Sequence, residues 1–137
     1  MRAALLSLAL LAAALALPAA TPADTFRFFH SPSGNIDCVV SGDFARCDIR
    51  ARTFKAPRRP ASCDLEWGST LTVARKSRRG AFGCVGDTAR DPKAKALAFG
   101  RSIRVATMRC TSRIDGVRCH NGRGHGFLVG RAAYRLF

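Results

Sequence analysis

Apolar residues follow two patterns along this chain, one long run at the start and short bursts afterwards. Arg2 precedes an apolar run from Ala3 to Leu17, in which Ser7 is the one polar residue; Pro18 and small residues up to Ala23 follow. A basic start, an apolar centre and a small-residue exit are the layout of a secretory signal peptide. The run is shorter than the roughly 20 residues that span a bilayer, so a retained anchor is the weaker reading. Cleavage after Ala23 would leave Asp24 as the new N-terminus, with Ala19 and Ala20 as alternative positions. Residues 1–23 are therefore expected to be removed, leaving residues 24–137 as one exported domain, secreted or periplasmic, with no membrane span.

From Thr25 onward the apolar bursts are short and bounded by Gly, Pro, Ser and Asn, the pattern of strands between turns. Thr25–Phe29 (TFRFF) is β-prone and stops at Ser31-Pro32-Ser33-Gly34. Asn35–Val40 leads into a turn and Ala45–Ile49 leads out of it. The stretch after Ile49, with Pro57 and Pro60, reads as a loop. Leu71–Ala74 and Ala81–Val85 predict a hairpin across RKSRRG. Asp91–Leu97 is the one stretch that suits a helix, with Pro92 early, where a helix tolerates it. Ser102–Thr107 and Val117–Cys119 are expected to make the second cysteine hairpin, and Gly126–Val129 with Ala133–Phe137 would close the sheet. The expected fold class is all-β or β-rich: a small single-domain antiparallel sheet or barrel with disulfide-clamped hairpins and at most one short helix.

Six cysteines, all beyond the apolar leader, predict a disulfide framework in a short exported chain. No Cys-x2-Cys pair suggests zinc, and no cofactor is expected. Local geometry ranks the pairings. In CVVSGDFARC (residues 38–47) a two-residue type II′ turn at Gly42-Asp43 sets Cys38 opposite Cys47 in a non-hydrogen-bonded pair. Such pairs have Cα atoms about 4.5 Å apart, a separation that a disulfide tolerates. In CTSRIDGVRC (residues 110–119) a two-residue turn at Asp115-Gly116 would set Cys119 opposite Ser112. A four-residue loop from Arg113 to Gly116, with the glycine left-handed, would restore Cys110 opposite Cys119. Cys63 and Cys84 remain as a third pair. The two ten-residue segments share four identities, which an internal duplication or a common turn geometry explains equally.

Charge changes the picture most. The chain has 23 basic and nine acidic residues; without Arg2 the balance is 22 against nine, a net +13. Basic residues crowd into Arg50–Arg59, into Arg75-Lys76-Arg78-Arg79 and across the span from Arg101 to Arg135. A potential of this sign concentrates anionic partners, and arginine forks bind phosphate in pairs of hydrogen bonds. For an exported protein those partners are envelope polymers or lipid head groups. Export argues against nucleic acid, and aromatics do not interleave with the basic stretches as in single-strand binders. The plain alternative is solvated charge in an Arg- and Ala-rich composition.

Candidate ligand-binding residues follow from these features. Arg75, Lys76, Arg78 and Arg79 form the basic turn; Arg123 and His125 lie in the glycine-rich NGRGHGF, where the backbone allows close approach. Trp67, close to Cys63, is either packed against that disulfide or a stacking platform for sugar rings. Asp87 and Thr88 are expected to bond backbone groups in a turn, as are the hydroxyls of Ser31–Asn35.

The order of SPSGNIDC (31–38), FARCDIR (44–50), CDLEWG (63–68), CVGDT (84–88), Phe99-Gly100, GVRCHN (116–121), GHGF (124–127) and YRLF (134–137) resembles a family of small exported bacterial proteins, domain of unknown function 6636. The resemblance covers nearly all of the exported part, cysteines included. It implies an exported, disulfide-bonded domain, and it carries over no catalytic residue.

The residues thus favour a monomeric, non-enzymatic binding module for an anionic envelope component. A small ribonuclease-like hydrolase is the alternative, with a histidine pair among His30, His120 and His125 as acid and base and Arg123 stabilising charge. Inhibition of an envelope-attacking enzyme is a third reading, without a motif.

Overall fold

A computed structural model describes residues Thr25–Phe137; the expected signal peptide lies outside the described residues. Phe44–Ile49 shows why strands form: Ala45, Cys47 and Ile49 are buried while Phe44, Arg46 and Asp48 alternate with them. That period of two presents one apolar face per strand. Among the described residues the eleven strands are β1 Arg27–His30, β2 Ile36–Val40, β3 Phe44–Ile49, β4 Thr70–Ala74, β5 Ala81–Phe82, β6 Lys95–Ala96, β7 Ser102–Val105, β8 Met108–Arg113, β9 Gly116–His120, β10 Gly126–Val129 and β11 Tyr134–Leu136.

They form two open sheets, not a barrel. One has the order β5-β4-β3-β2-β1-β6, the other β11-β10-β9-β8-β7. Every pairing is antiparallel except the short parallel contact of β1 with β6. The sheets pack on each other through β4 with β10, β3 with β8 and β9, and β2 with β7 and β8. Phe29, Ile36, Leu71, Met108, Val117 and Phe127 meet in one core. Burying each such side chain stabilises by about 1.5–3 kcal/mol, before chain entropy is set against it.

All three disulfides form as the spacing suggests: Cys38–Cys47, Cys63–Cys84 and Cys110–Cys119. The two hairpin bonds join directly opposed residues with Cα atoms 4.1 Å apart in each. The third, with the bridge of Glu66 to Val85, pins the strand-free stretch between β3 and β4.

The sheets repeat one plan. A row of directly paired residues crosses the first sheet as Phe29, Cys38, Cys47, Leu71 and Phe82. Its counterpart in the second is Ile103, Cys110, Cys119, Phe127 and Leu136. Five strands, the same connections and the same central disulfide recur, which raises an internal duplication above shared turn geometry.

Four local expectations are corrected. Gly42 is not at positive φ, so its turn is not type II′. Ser41 closes that turn instead, its Oγ accepting from the Asp43 and Phe44 amides at 3.2 Å. In the second cysteine hairpin Arg113 pairs with Gly116, so the loop is Ile114-Asp115 alone. Gly116 lies in β9 at φ 139°, where an added Cβ would strike the Val129 carbonyl. The strand expected over Ser102–Thr107 is one arm of a separate β7–β8 hairpin that turns at Ala106, φ 50°. Finally, no helix forms at Asp91–Leu97. Asp91 closes a turn through its carbonyl to the Ala94 amide (3.0 Å) and its carboxylate to the Lys93 amide (2.8 Å). Lys95-Ala96 then joins β1, and seven residues offer too few helical bonds to compete.

Candidate functional site

Two of the basic segments meet at one end of the sandwich, and a single buried side chain joins them. Asn121, fully buried after β9, donates from Nδ2 to the Ala74 carbonyl at 3.1 Å and the Ser77 carbonyl at 2.8 Å. Its Oδ1 accepts from the amides of Arg123 (3.0 Å) and His125 (3.1 Å). All of its amide hydrogen-bonding capacity is therefore spent holding the 121–125 loop against the β4–β5 turn, residues 75–80. Gly80 tightens the seam: its amide donates to the Gly126 carbonyl at 3.1 Å, and an added Cβ would collide with that same carbonyl.

Arg75, Lys76, Arg78, Arg79 and Arg123 are exposed on these joined loops, and His125 is half-buried. Asp43 lies at this end too. It binds Arg75 through its carbonyl (2.7 Å to the Arg75 amide) and its carboxylate (3.2 Å to Nε). The structure thus brings the candidate cations Arg75, Lys76, Arg78 and Arg79 to the same end as Arg123, which lies far from them in sequence.

Trp67 belongs elsewhere. Its ring packs on Phe82 at 5.8 Å, and Phe82 meets Tyr134, which meets Phe54. Trp67 Nε1 donates to the Pro57 carbonyl at 2.9 Å, so the indole is held within a loop-anchoring aromatic cluster. Phe82 is its ring partner.

The outer face of the second sheet continues the positive surface. Arg118 lies over the Phe137 ring at 4.5 Å, with Arg135 at 5.8 Å from the same ring. Burial, then repulsion from Arg113 and Arg135, lowers the Arg118 pKa. The first sheet differs. There Arg46 holds Asp48 at 2.9 Å and Asp87 at 2.6 Å. Burial opposes its charge, but the bonds to Asp48 and Asp87 raise its pKa overall. The hydrogen bond from Arg46, with its charge, lowers that of Asp87. Asp87 therefore serves an ion pair, whereas Thr88 takes the expected turn role, accepting from the Arg90 amide at 3.1 Å. Ser31 likewise accepts from the Ile36 amide at 3.1 Å.

The histidines divide. His30 ends β1, opposite Asp37, at the far end of the first sheet from the joined loops. His120 and His125 flank the Asn121 loop, and His120 Nδ1–H donates to the Asn121 carbonyl at 2.9 Å. Sequence reading missed Asn121, whose burial depends on a contact 47 residues distant. Among the described residues no helix is long and apolar enough to cross a membrane.

A family model described as "Family of unknown function (DUF6636)" matches residues 9–137. No curated protein and no solved structure matches the chain.

Proposed function

Because the chain belongs to that family, whose description assigns no activity, we propose its role from its own surface: an exported binding module whose cationic end holds an anionic component of the cell envelope. The observation that carries this reading is the Asn121 clamp. Exposed like charges repel, so two solvated basic loops would separate if nothing opposed them. Here a fully buried side chain spends four hydrogen bonds keeping them adjacent.

Three disulfides fit an oxidising compartment, as an apolar leader over residues 1–23 would require. In that space the net +13 of the exported part steers polyanions toward the protein and raises their encounter rate. A preformed set of arginine forks then binds without ordering a flexible segment, which keeps the entropic cost low. The module acts as a monomer and without turnover.

The test is retention of the oxidised protein on phosphate-bearing and carboxylate-bearing envelope polymers across a salt series. Retention that falls steeply with salt, and that weakens at least about tenfold when Arg75, Lys76, Arg78 and Arg79 are all replaced by Ala, supports the reading. Absence of retention, or retention indifferent to salt and to those four substitutions, overturns it.

A further inference from the structure

The duplicated plan allows the two sheets to be compared position by position, and one row of residues departs sharply from its counterpart. In the first sheet a row next to the disulfide reads His30, Asp37, Asp48 and Thr70 across β1 to β4. The matching row in the second reads Arg104, Arg109, His120 and Gly126 across β7 to β10. Each row sets like charges directly opposite one another, an arrangement that destabilises a sheet unless something neutralises it.

The first row is neutralised from within. Arg50 binds Asp37 at 2.8 Å, and Arg46 binds Asp48 at 2.9 Å. Thr70 Oγ1 and the Ala89 amide add hydrogen bonds to Asp48 at 2.8 and 2.7 Å. Among the described residues the second row has no such partners. Among the described residues no carboxylate lines the groove of about 410 Å³ into which Arg104, Arg109 and His120 open. Arg104 donates from Nε to the Ala106 carbonyl at 2.8 Å, which fixes its course and does not cancel its charge. Arg109 and Arg104 form no ion pair among the described residues.

The groove wall is also fixed. Gly122 fits against Thr107 so closely that an added Cβ would lie 2.8 Å from the threonine Cβ. Gly124, at φ 80°, presents bare backbone with open space in front of it. Residues opposite one another on adjacent strands have Cα atoms about 4.5–5.5 Å apart. Two guanidinium forks at that spacing match a compact acceptor with several charged oxygens. A carboxylate has two oxygens and one charge; a phosphoryl group has three outward oxygens and up to two charges.

We infer that this groove is a subsite for a phosphoryl group, with Arg104 and Arg109 as its charged forks and His120, whose Nδ1–H is spent on the Asn121 carbonyl, as part of its wall. The assignment rests on the proposed anion-binding function and deepens it. It places the recognised chemistry on the outer face of the second sheet, beside the loop that Asn121 holds. The phosphoryl group can belong to a soluble polymer strand or to a lipid head group, and the same groove serves both.

The experiment titrates the oxidised protein with inorganic phosphate, and with acetate as comparator, while backbone amides are followed by NMR. Phosphate should shift the amides of residues 104–109 and 120–124 saturably, and acetate should shift them at least about tenfold more weakly. Arg109→Ala and Arg104→Ala, both at exposed positions, should each weaken phosphate binding about tenfold and leave the far Ser31–Asn35 amides unmoved. Linear polyphosphate and phosphatidylglycerol vesicles, assayed separately, identify the source; tight binding of either that is lost in Arg109→Ala supports the assignment. Retention on envelope polymers that survives in Arg109→Ala, with no local phosphate shifts, overturns the subsite and leaves the wider function standing. Absence of retention together with absence of phosphate shifts overturns both.

Discussion

Sγ of Cys47 lies 3.7 Å from Sγ of Cys119, so the two hairpin disulfides touch at the centre of the sandwich. Both sulfurs are oxidised and carry no proton, which makes this a packing contact. Each bond staples the middle strands of its own sheet, and the contact between them joins the two sheets.

That contact predicts coupling. Replacing Cys38 and Cys47 by Ala, or Cys110 and Cys119 by Ala, should each cost about 2–4 kcal/mol of unfolding free energy. The fourfold variant should depart from the sum of the two by more than about 0.5 kcal/mol, because neighbouring sites fail to add. Urea unfolding of the four proteins measures it; additive losses would show that the contact carries no energy.

Asn121 is the second lever. Asn121→Ala leaves two carbonyls and two amides without their partner, so stability should drop by about 2–4 kcal/mol. Where the variant still folds, its polyanion affinity should fall as well, since the two basic loops are no longer held together. Chemical denaturation and a binding isotherm on the same sample check both halves. Unchanged affinity in a folded variant would separate the clamp from the function.

Ser112 gives a prediction of opposite sign. Its Oγ is buried with no hydrogen-bond partner among the described residues, and the duplicate position in the first sheet is Val40. Ser112→Val removes a buried hydroxyl and adds apolar contact, so the denaturation midpoint should rise by the equivalent of about 1 kcal/mol. A lower midpoint would mean that the site lacks room for the second methyl.

Acid should act through the pair of Arg46 and Asp87. The folded pKa of Asp87 lies below its ordinary value, chiefly through the hydrogen bond from Arg46. Such a group stabilises fully above the ordinary aspartate value of about 3.9, and its contribution is lost as pH falls through the folded value. Asp87→Asn should therefore lower the thermal midpoint at neutral pH and have no effect once acid has protonated the native carboxyl. Because Asp87 is largely exposed, the effect is small; an equal difference at both ends of the pH range would contradict the ion-pair account.

Much of this architecture is legible in the chain. Alternation marks β3, and the nine-residue separation in each cysteine hairpin sets the opposed pairs, because strand registry is local there. What stays hidden depends on contacts distant in sequence or on unusual backbone. The β7–β8 turn uses Ala106 at φ 50°, where no glycine announces it, so two strands read as one. The helix expected from Asp91 loses to a side-chain-closed turn that propensity alone does not weigh. The candidate cations at 75–79 and 123 were visible as composition, but their union depends on the buried Asn121. The ladder of Arg104, Arg109 and His120 emerges only when three strands are in register.

Hydrogen exchange of the oxidised protein, with and without saturating linear polyphosphate, tests the central claim most directly. The account predicts slowed exchange at residues 75–80, 104–109 and 120–125, on the joined loops and the cationic row beside them. Protection confined to the opposite end, at Ser31–Asn35 and Ile114-Asp115, or no protection anywhere, would contradict it.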